Sequence, residues 1–397
     1  MSIIEKLLNG VQVQWKLLGH KEDGVAELSR GRVMSKEYLA ENAGEYPVYS
    51  SQTANNGEIG RITTFDHEGE SITWTTDGAN AGTVFYRTGK FSITNVCGLI
   101  RIKNKEELNY KFLFYWLSIE AKKHVYSGMG NPKLMSNQMA KVPVPIPPLD
   151  VQKEIASILD SFTELTTELT TELTARKHQY SYYREQLFLF DELEVNSEAL
   201  GEIGEFQRGK RFVKTDLISE GVPTIHYGEM YTHYGTWADE TISFVSEELV
   251  NNKKLRVAEK GDVVIVAAGE TIEDIGMGTA WLGDEGVVIH DACFSFRSTL
   301  NPKFVAYFTR TRQFHDQIRR HISSGKISSI NSKGLSKVLI PVPSREEQER
   351  VVSILDKFDT LTTSISEGLP KEIELRQKQY EYYRETLLAF PKENVEV

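Results

Sequence analysis

"SNQMAKVPVPIPPLDVQKEIASILDSF", residues 136 to 162, recurs without a gap as "SKGLSKVLIPVPSREEQERVVSILDKF", residues 332 to 358. Gln152 falls on Gln348, and Ser157-Ile158-Leu159-Asp160 falls on Ser353-Ile354-Leu355-Asp356. Further on, "RKHQYSYYREQL" (176 to 187) matches "RQKQYEYYRETL" (376 to 387), the second copy being four residues longer in between. Upstream, "LNYKFLFYWL" (108 to 117) lies over "LNPKFVAYFT" (300 to 309), and Arg30-Gly31-Arg32 over Arg208-Gly209-Lys210. Self-similarity at about 190 residues is far longer than any solenoid repeat, so it predicts two pseudo-equivalent domains, each followed by its own helical segment. A chain of 397 residues accommodates two such units.

Periodicity then predicts the elements. Short β-branched or alternating runs read as strands separated by Gly, Asn and Asp turns: 71 to 76, 82 to 87, 98 to 102, 262 to 268 and 286 to 290. A helix of about five turns is expected in each copy, from Lys105 and from Lys303 onward. The fold class is therefore α+β, with globular domains at 1–148 and 192–343, helical segments at 149–191 and 344–391, and a tail at 392–397. Proline-rich sequence ends the last strand of each globular part, and Asp150 is positioned to cap the first long helix.

In the helical segments apolar residues fall at Ile155, Ile158, Phe162, Leu165 and Leu169, and in the second copy at Val351, Ile354, Phe358 and Leu361. This is a heptad seam, resumed by Tyr180, Tyr183, Leu187 and Phe190 and by Tyr380, Tyr383, Leu387 and Phe390. Two such helices can satisfy each other as an intramolecular antiparallel coiled coil. In the second copy the seam continues to Ile365, and the four extra residues include the "EGLP" region, where Gly368 and Pro370 are expected to break or kink the helix. The first copy carries "TELTTELTTELT" (163 to 174) instead. A period of four puts Leu165, Leu169 and Leu173 on one slowly drifting stripe and Glu164, Glu168 and Glu172 on its neighbour, so leucine holds the seam while glutamate stays wet.

Composition narrows the function. The sequence has no run of about 18 apolar residues and no signal-peptide pattern at Met1 to Gly10, so a cytoplasmic protein without membrane contact is expected. Cys97 and Cys293 are too few for a disulfide framework or zinc site and read as buried small apolar residues. The net charge of −10 argues against an indiscriminate polyanion binder. Residues 150 to 191 hold eight acidic and four basic side chains and residues 344 to 390 hold ten and seven, which leaves the globular parts close to neutral. "GMGNPKLMS" (128 to 136), "AAGETIEDIGMGTAW" (267 to 281) and "SSGKISS" (323 to 329) lack the strand-to-helix setting of nucleotide-binding glycine loops and read as polar loops. No HExxH, paired-Cys motif or nucleophile elbow occurs, so no catalytic or metal site is expected.

Basic and amide side chains cluster in the globular parts instead. Arg and Lys neutralise phosphates, while Arg, Asn and Gln form paired hydrogen bonds with base edges. The candidates for DNA contact are Arg30, Arg32, Gln52, Asn55, Asn56, Asn131 and Lys133 in the first copy. In the second they are Arg208, Lys210, Arg211, Lys326, Ser328 and Asn331. The competing reading is a solvated surface and ordinary turns.

The layout resembles the specificity subunit of type I restriction-modification systems over essentially the whole chain. The likeness is carried by "QKEIASILDSF", "RKHQYSYYREQL", "EEQERVVSILDKF" and "RQKQYEYYRETL", and is only positional in the globular parts. The resemblance implies a non-catalytic subunit whose two target-recognition domains each read half of a split double-stranded DNA target. It implies helices that dock two methyltransferase subunits, with restriction subunits completing the assembly. S-adenosylmethionine, Mg and ATP would then belong to those partners. Leu165, Leu169, Leu173, Tyr180, Tyr183, Tyr380 and Tyr383 are the spacer and docking candidates. On this reading each TELT tetrad adds about 6 Å of helix and a net rotation of about 40°, against about 3.4 Å and roughly 35° for one base pair. The tetrad therefore reads as a ruler for the spacer. The alternatives are a protein-interaction scaffold spaced by a coiled coil and, disfavoured by the missing motifs, a self-sufficient methyltransferase or nuclease.

Overall fold

The computed structural model describes residues 3–19, 23–127, 130–325, 327–364 and 366–391. The helices that organise it are α1 (Tyr110–Glu120), α2 (Leu149–Gln186), α3 (Pro302–Phe308), α4 (Arg312–Arg319), α5 (Arg345–Thr363) and α6 (Gly368–Leu387). The chain divides into two compact units, Met1–Leu169 with Ile373–Val397, and Thr170–Glu372. This partition differs from one cut at the sequence repeats. Each compact unit takes its globular part and first helix from one repeat and its closing helical arm from the other.

In the first unit, strands Ala26–Arg30, Cys97–Ile102, Ser71–Thr75 and Val84–Arg87 form an antiparallel sheet in that order. A second sheet orders Glu58–Ile62, Ala43–Tyr49, Lys90–Ile93 and His67–Glu68, with a parallel central pair. Trp74 is fully buried on the first sheet and donates its indole N–H to the Leu134 carbonyl at 2.9 Å. A Cβ on Gly98 would lie 2.2 Å from the Trp74 ring, so only glycine fits the facing position. Losing a side chain buried like this one costs about 3–5 kcal/mol on truncation to alanine.

The second unit repeats the plan, with Gly204–Arg208, Cys293–Ser298, Val263–Val266, Gly278–Trp281 and Trp237–Ala238 in one sheet. The other orders Ser243–Val245, Val222–Ile225, Val287–Ile289 and Val257–Ala258. All five segments read as strands from the sequence are strands. Cys97 and Cys293 are buried free thiols, as expected, and burial pushes both up to about 12.

The helices depart from expectation in instructive ways. The predicted helix from Lys105 begins only at Tyr110, because the Asn109 side chain caps it by accepting from the Phe112 N–H, and it tightens into a 3-10 turn at Ala121–His124. Its counterpart is broken into α3 and α4, because Thr311 turns back to the Phe308 carbonyl and caps α4 by accepting from Phe314 N–H. Asp150 lies inside the first turn of α2 rather than at its cap, whereas Ser344 does cap α5. The second arm is interrupted, as the insertion predicts, with α5 ending at Thr363 and α6 beginning at Gly368; Ile365 of the expected seam lies outside the described residues. Pro370 sits in the first turn of α6, where its missing N–H costs nothing, so it starts a helix and does not break one. Gly368 (φ 82°) makes the corner, where a Cβ would come 2.4 Å from the Thr360 carbonyl oxygen.

The repeated sequence blocks form a repeated junction. Gln152 is fully buried, accepts from the Asn109 N–H at 2.8 Å and donates to the Pro147 and Glu107 carbonyls, both at 2.8 Å. Gln348 accepts from Asn301 N–H at 2.8 Å and donates to Pro343 at 3.0 Å. Asp160 accepts from Tyr115 Oη at 2.6 Å and Lys111 Nζ at 3.0 Å, and Asp356 from Tyr307 at 2.7 Å and Lys303 at 2.8 Å. A buried phenol donating to a carboxylate is a strong bond, which explains why Tyr and Asp recur together. Phe162 stacks on Tyr383 (5.1 Å between ring centroids), and Phe358 on Tyr183 (5.4 Å) and Tyr180 (6.2 Å). Partner numbers fall as those of α2 rise, the order of an antiparallel pair.

Candidate nucleic-acid interface

In both units the Arg-Gly-basic tripeptide leaves the edge strand at the same kind of place. Gly31 donates its N–H to the Cys97 carbonyl at 3.4 Å, and Gly209 to that of Cys293 at 3.0 Å. A Cβ would stand 1.9 Å from the Ile93 oxygen at Gly31 and 2.1 Å from the His290 oxygen at Gly209. Backbone passing this close leaves the flanking basic side chains to point away. Arg30 donates to Thr76 Oγ1 (3.0 Å), while Arg32 is held by Asp66 (3.0 Å) and Tyr38 (3.1 Å). Arg208 donates to the Asp291 carbonyl (2.9 Å) and Lys210 to that of Lys253 (3.2 Å). Arg211 is exposed without a hydrogen-bond partner among the described residues.

The first unit brings several predicted residues to one edge. Asn80 donates to Thr53 Oγ1 at 3.1 Å, tying the 75–83 hairpin to the 50–57 turn. The segment carrying Asn131 and Lys133 joins that hairpin through a bridge between Asp77 and Lys133 and a Gly78 N–H bond to Pro132. Gln52 is partly spent, its amide donating to the Glu58 carbonyl. Asn55 (φ 48°) and Asn56 (φ 53°) sit in the left-handed region, which asparagine tolerates well among non-glycine residues. Both side chains are exposed, so two adjacent amides stand unengaged among the described residues.

The residue that holds this turn escaped the sequence reading. Arg87 is 3% exposed, donates to the Asn56 carbonyl (2.8 Å) and Thr73 Oγ1 (3.1 Å), and lies 3.6 Å from the Tyr49 ring centroid. Burial lowers its pKa, while Tyr49 pulls the other way. Its only sequence signal is a charge ending the otherwise apolar strand "VFYR".

The second unit is arranged differently. Ser328 is buried in a two-residue ladder opposite Gly269, and Asn331 spends its side-chain oxygen capping the next turn by accepting from Gly334 N–H at 2.9 Å. Lys326 lies outside the described residues. Behind the 208–214 segment, His290 Nε2 donates to the Phe212 carbonyl (3.0 Å) and Nδ1 accepts from Ala292 N–H (3.1 Å), the pattern of a neutral ring. Burial lowers the pKa of His290 and of His226, whose ring lies 4.8 Å away.

On the helices Leu165, Leu169 and Leu173 are half-buried and Glu164, Glu168 and Glu172 exposed, as the tetrad spacing predicts. Tyr180 is buried and Tyr380 half-buried, whereas Tyr183 remains 38% exposed. Tyr182 and Tyr382, in matching places, are 60% and 62% exposed and were not among the predicted docking residues. Among the described residues no acidic, His or Cys side chains are grouped to hold a metal, and no helix is long and apolar enough to cross a membrane.

The comparisons with known proteins agree with this architecture. The family described as the type I restriction modification DNA specificity domain matches twice, over residues 20–176 and 193–375. A putative type I specificity subunit of Mycoplasma pneumoniae is 33% identical over 94% of this chain and 97% of its own length. The EcoR124I/EcoR124II specificity subunit of Escherichia coli is 32% identical over 99% of this chain and 98% of its own. The crystal structure of the S subunit from M. genitalium shares the fold, with a TM-score of 0.56 at 17% identity, covering 97% of this chain and 98% of that one. Two matched domains on a duplicated helical scaffold, with full-length relatives above 30% identity, place the chain among the DNA specificity subunits of type I restriction-modification systems.

Proposed function

We propose that each unit reads one half of a bipartite DNA sequence, that the helices set the distance between the halves, and that the same helices dock two methyltransferase subunits. The observation that carries this reading is one scaffold built twice around different loops. The Gln-Asp-Tyr-Lys junction recurs, while the 54–57 turn of one unit and the two-residue ladder of Ala268–Gly269 with Ser328–Ser329 in the other are not shared. Two readers that share a frame and differ in their tips suit two different half-sites.

The chain is assigned no catalytic role. Methylation and cleavage belong to the partner subunits, with S-adenosylmethionine, Mg and ATP bound there. Exposed Tyr182 and Tyr382 add matching aromatic surfaces for a pair of like subunits, since buried aromatic anchors dominate such interfaces.

The test is genome-wide mapping of methylated bases in cells with and without this gene, partners present. Loss of one split motif of constant spacing is expected, and an unchanged methylation map would remove the proposal. Deleting one TELT block from α2 is expected to shorten the unread spacer by about one base pair while keeping both half-sites. Unchanged spacing would dispose of the ruler and favour a tolerated repeat in an exposed helix.

A further inference from the structure

Along α2 the TELT block lies between two sets of contacts. Before it, Gln152 and Asp160 hold the globular part of the first unit through directional hydrogen bonds. After it, Tyr180 and Phe188 are buried in the core of the second unit, with the Phe188 ring 4.8 Å from that of Phe304 and 5.5 Å from that of Phe308. Apolar packing is non-directional, so it fixes how closely a domain approaches the helix more than its roll about the helix axis. Glu185 supplies the missing direction. Its carboxylate accepts the Arg312 N–H with both oxygens, at 3.0 and 3.2 Å. Arg312 opens α4, where backbone donors have no acceptor within the helix and the helix dipole favours a negative charge.

The segment that receives Glu185 is itself fixed to the sheet. Thr309 Oγ1 accepts from the Gly278 N–H at 2.9 Å, and Arg310 donates to the Gly278 carbonyl at 3.1 Å and to that of Gly235 at 2.9 Å. Gly278 begins a strand of the sheet whose outer strand, Gly204–Arg208, ends in the Arg-Gly-basic tripeptide. A chain of hydrogen bonds thus runs from α2 through residues 309–312 into the sheet that carries the recognition edge.

The first unit lacks this route. The matching residues, Leu117 to Glu120, lie inside α1, and Ser118 turns its hydroxyl back to the Tyr115 carbonyl at 2.6 Å. Glu385 stands in the place of Glu185 on α6, and its carboxylate makes no hydrogen bond among the described residues. The apolar anchors do recur, as buried Leu388 and half-buried Tyr380. The directional contact is therefore confined to the arm that carries the tetrads.

We infer that Glu185 is a positioning residue: it holds the roll of the second recognition domain on α2, so that the rotation added by each tetrad reaches the bases which that domain reads. The inference rests on the bipartite reading and the spacer ruler proposed above. A tetrad adds a net rotation of about 40°, against roughly 35° per base pair. Such a ruler selects one spacing only if the domain's roll is held to a fraction of that step.

The complete complex in cells provides the test, with methylated bases mapped genome-wide for the wild type, E185A, E185Q, E385A and the deletion of one TELT block. E185A is expected to keep both half-sites and to spread methylation over spacers about one base pair longer and shorter than the wild-type one. E185Q keeps an oxygen that accepts the Arg312 N–H, so a narrower spread is expected from it. It also carries the test should E185A fail to assemble with its partners. E385A, the matching change on the other arm, is expected to keep the single wild-type spacing.

A single spacing in E185A and E185Q, however far total methylation falls, would overturn the inference, since a residue that serves only stability lowers the yield without changing the spacing. Equal spreading in E385A would overturn it too, by showing a general effect of loosening the arms. Failure of the underlying reading looks different. The TELT deletion would then leave the wild-type spacing unchanged, and the ruler and its clamp would fall together.

Discussion

The two junctions and the two sheet edges of this molecule that carry the Arg-Gly-basic tripeptides obey opposite rules. At the junctions, Gln152 and Gln348 bind the same kinds of backbone atoms at nearly the same distances, and Asp160 and Asp356 collect the same Tyr and Lys. At the edges only the glycine close approach and the basic residues around it recur. The first unit presents an Asn-Asn turn on a buried arginine, and the second a histidine pair behind a basic strand end. Buried polar groups have few ways of being satisfied, so divergence there is penalised, while exposed loop tips answer only to what they bind.

Even the junctions differ at one point. Asp359 lies beside Tyr180, whose hydroxyl donates to it at 3.4 Å, where the first repeat has Thr163. Burial raises the pKa of Asp359, with Arg310 the main opposing charge. In the first unit Ser118 and Thr163 occupy the places of Arg310 and Asp359, so a half-buried guanidinium and carboxylate are represented there by two hydroxyls.

The largest effect is expected from the glutamines. Q152A and Q348A each strand buried backbone partners and are expected to cost about 2–4 kcal/mol in denaturant unfolding. Equal losses would support the equivalence of the junctions, and a difference above about 1 kcal/mol would break it.

R87Q sharpens the contrast at the edges. It removes the clamp on the Asn55–Asn56 turn and is expected to relax discrimination at one half-site by about 1–3 kcal/mol. Methylation mapping should show degenerate bases in that half-motif and an intact second one. R87K, which keeps the charge, is expected to recover part of the discrimination. Uniform loss over both halves would mean that Arg87 serves only the stability of the fold.

Acid is expected to separate the units most gently. His226, His290 and His315 in the second unit and His67 in the first are all held below their ordinary pKa, chiefly by burial. A lowered folded-state pKa means that the unfolded chain binds protons first. Stability is therefore full above the unfolded value of about 6.5 and declines as pH falls below it. The buried carboxyl of Asp359 shifts oppositely and offsets part of the loss. The second unit is expected to lose a few degrees of Tm, roughly, between pH 7 and 5.5, more than the first. Hydrogen exchange resolved by unit checks this, and equal protection in the two would refute it.

The repeat made the scaffold legible. Duplicated blocks implied two domains, heptad spacing implied the helical pair, and the TELT period placed leucine inside and glutamate outside. Asn55 and Asn56 could be placed in an exposed turn because paired asparagines before a glycine are turn formers. Arg87 and Arg310 could not, because nothing local distinguishes a buried arginine from a surface one, and its burial depends on strands and helices distant in the chain.

The sequence by itself determined the two-fold plan, the secondary structure of its strands and the composition of the helical seam, since these follow from local periodicity and an internal comparison. Tertiary structure alone decided which helical arm completes which unit, because the sequence repeat suggests each arm serves its own copy while packing assigns it to the other. It also decided which polar side chains remain available. Ser328 and Asn331 look as free in the sequence as Asn55 and Asn56, but hydrogen bonding in the fold engages the Asn331 oxygen and buries Ser328 against Gly269. Availability is what remains after the backbone's own donors and acceptors have been satisfied, and that accounting exists only in three dimensions.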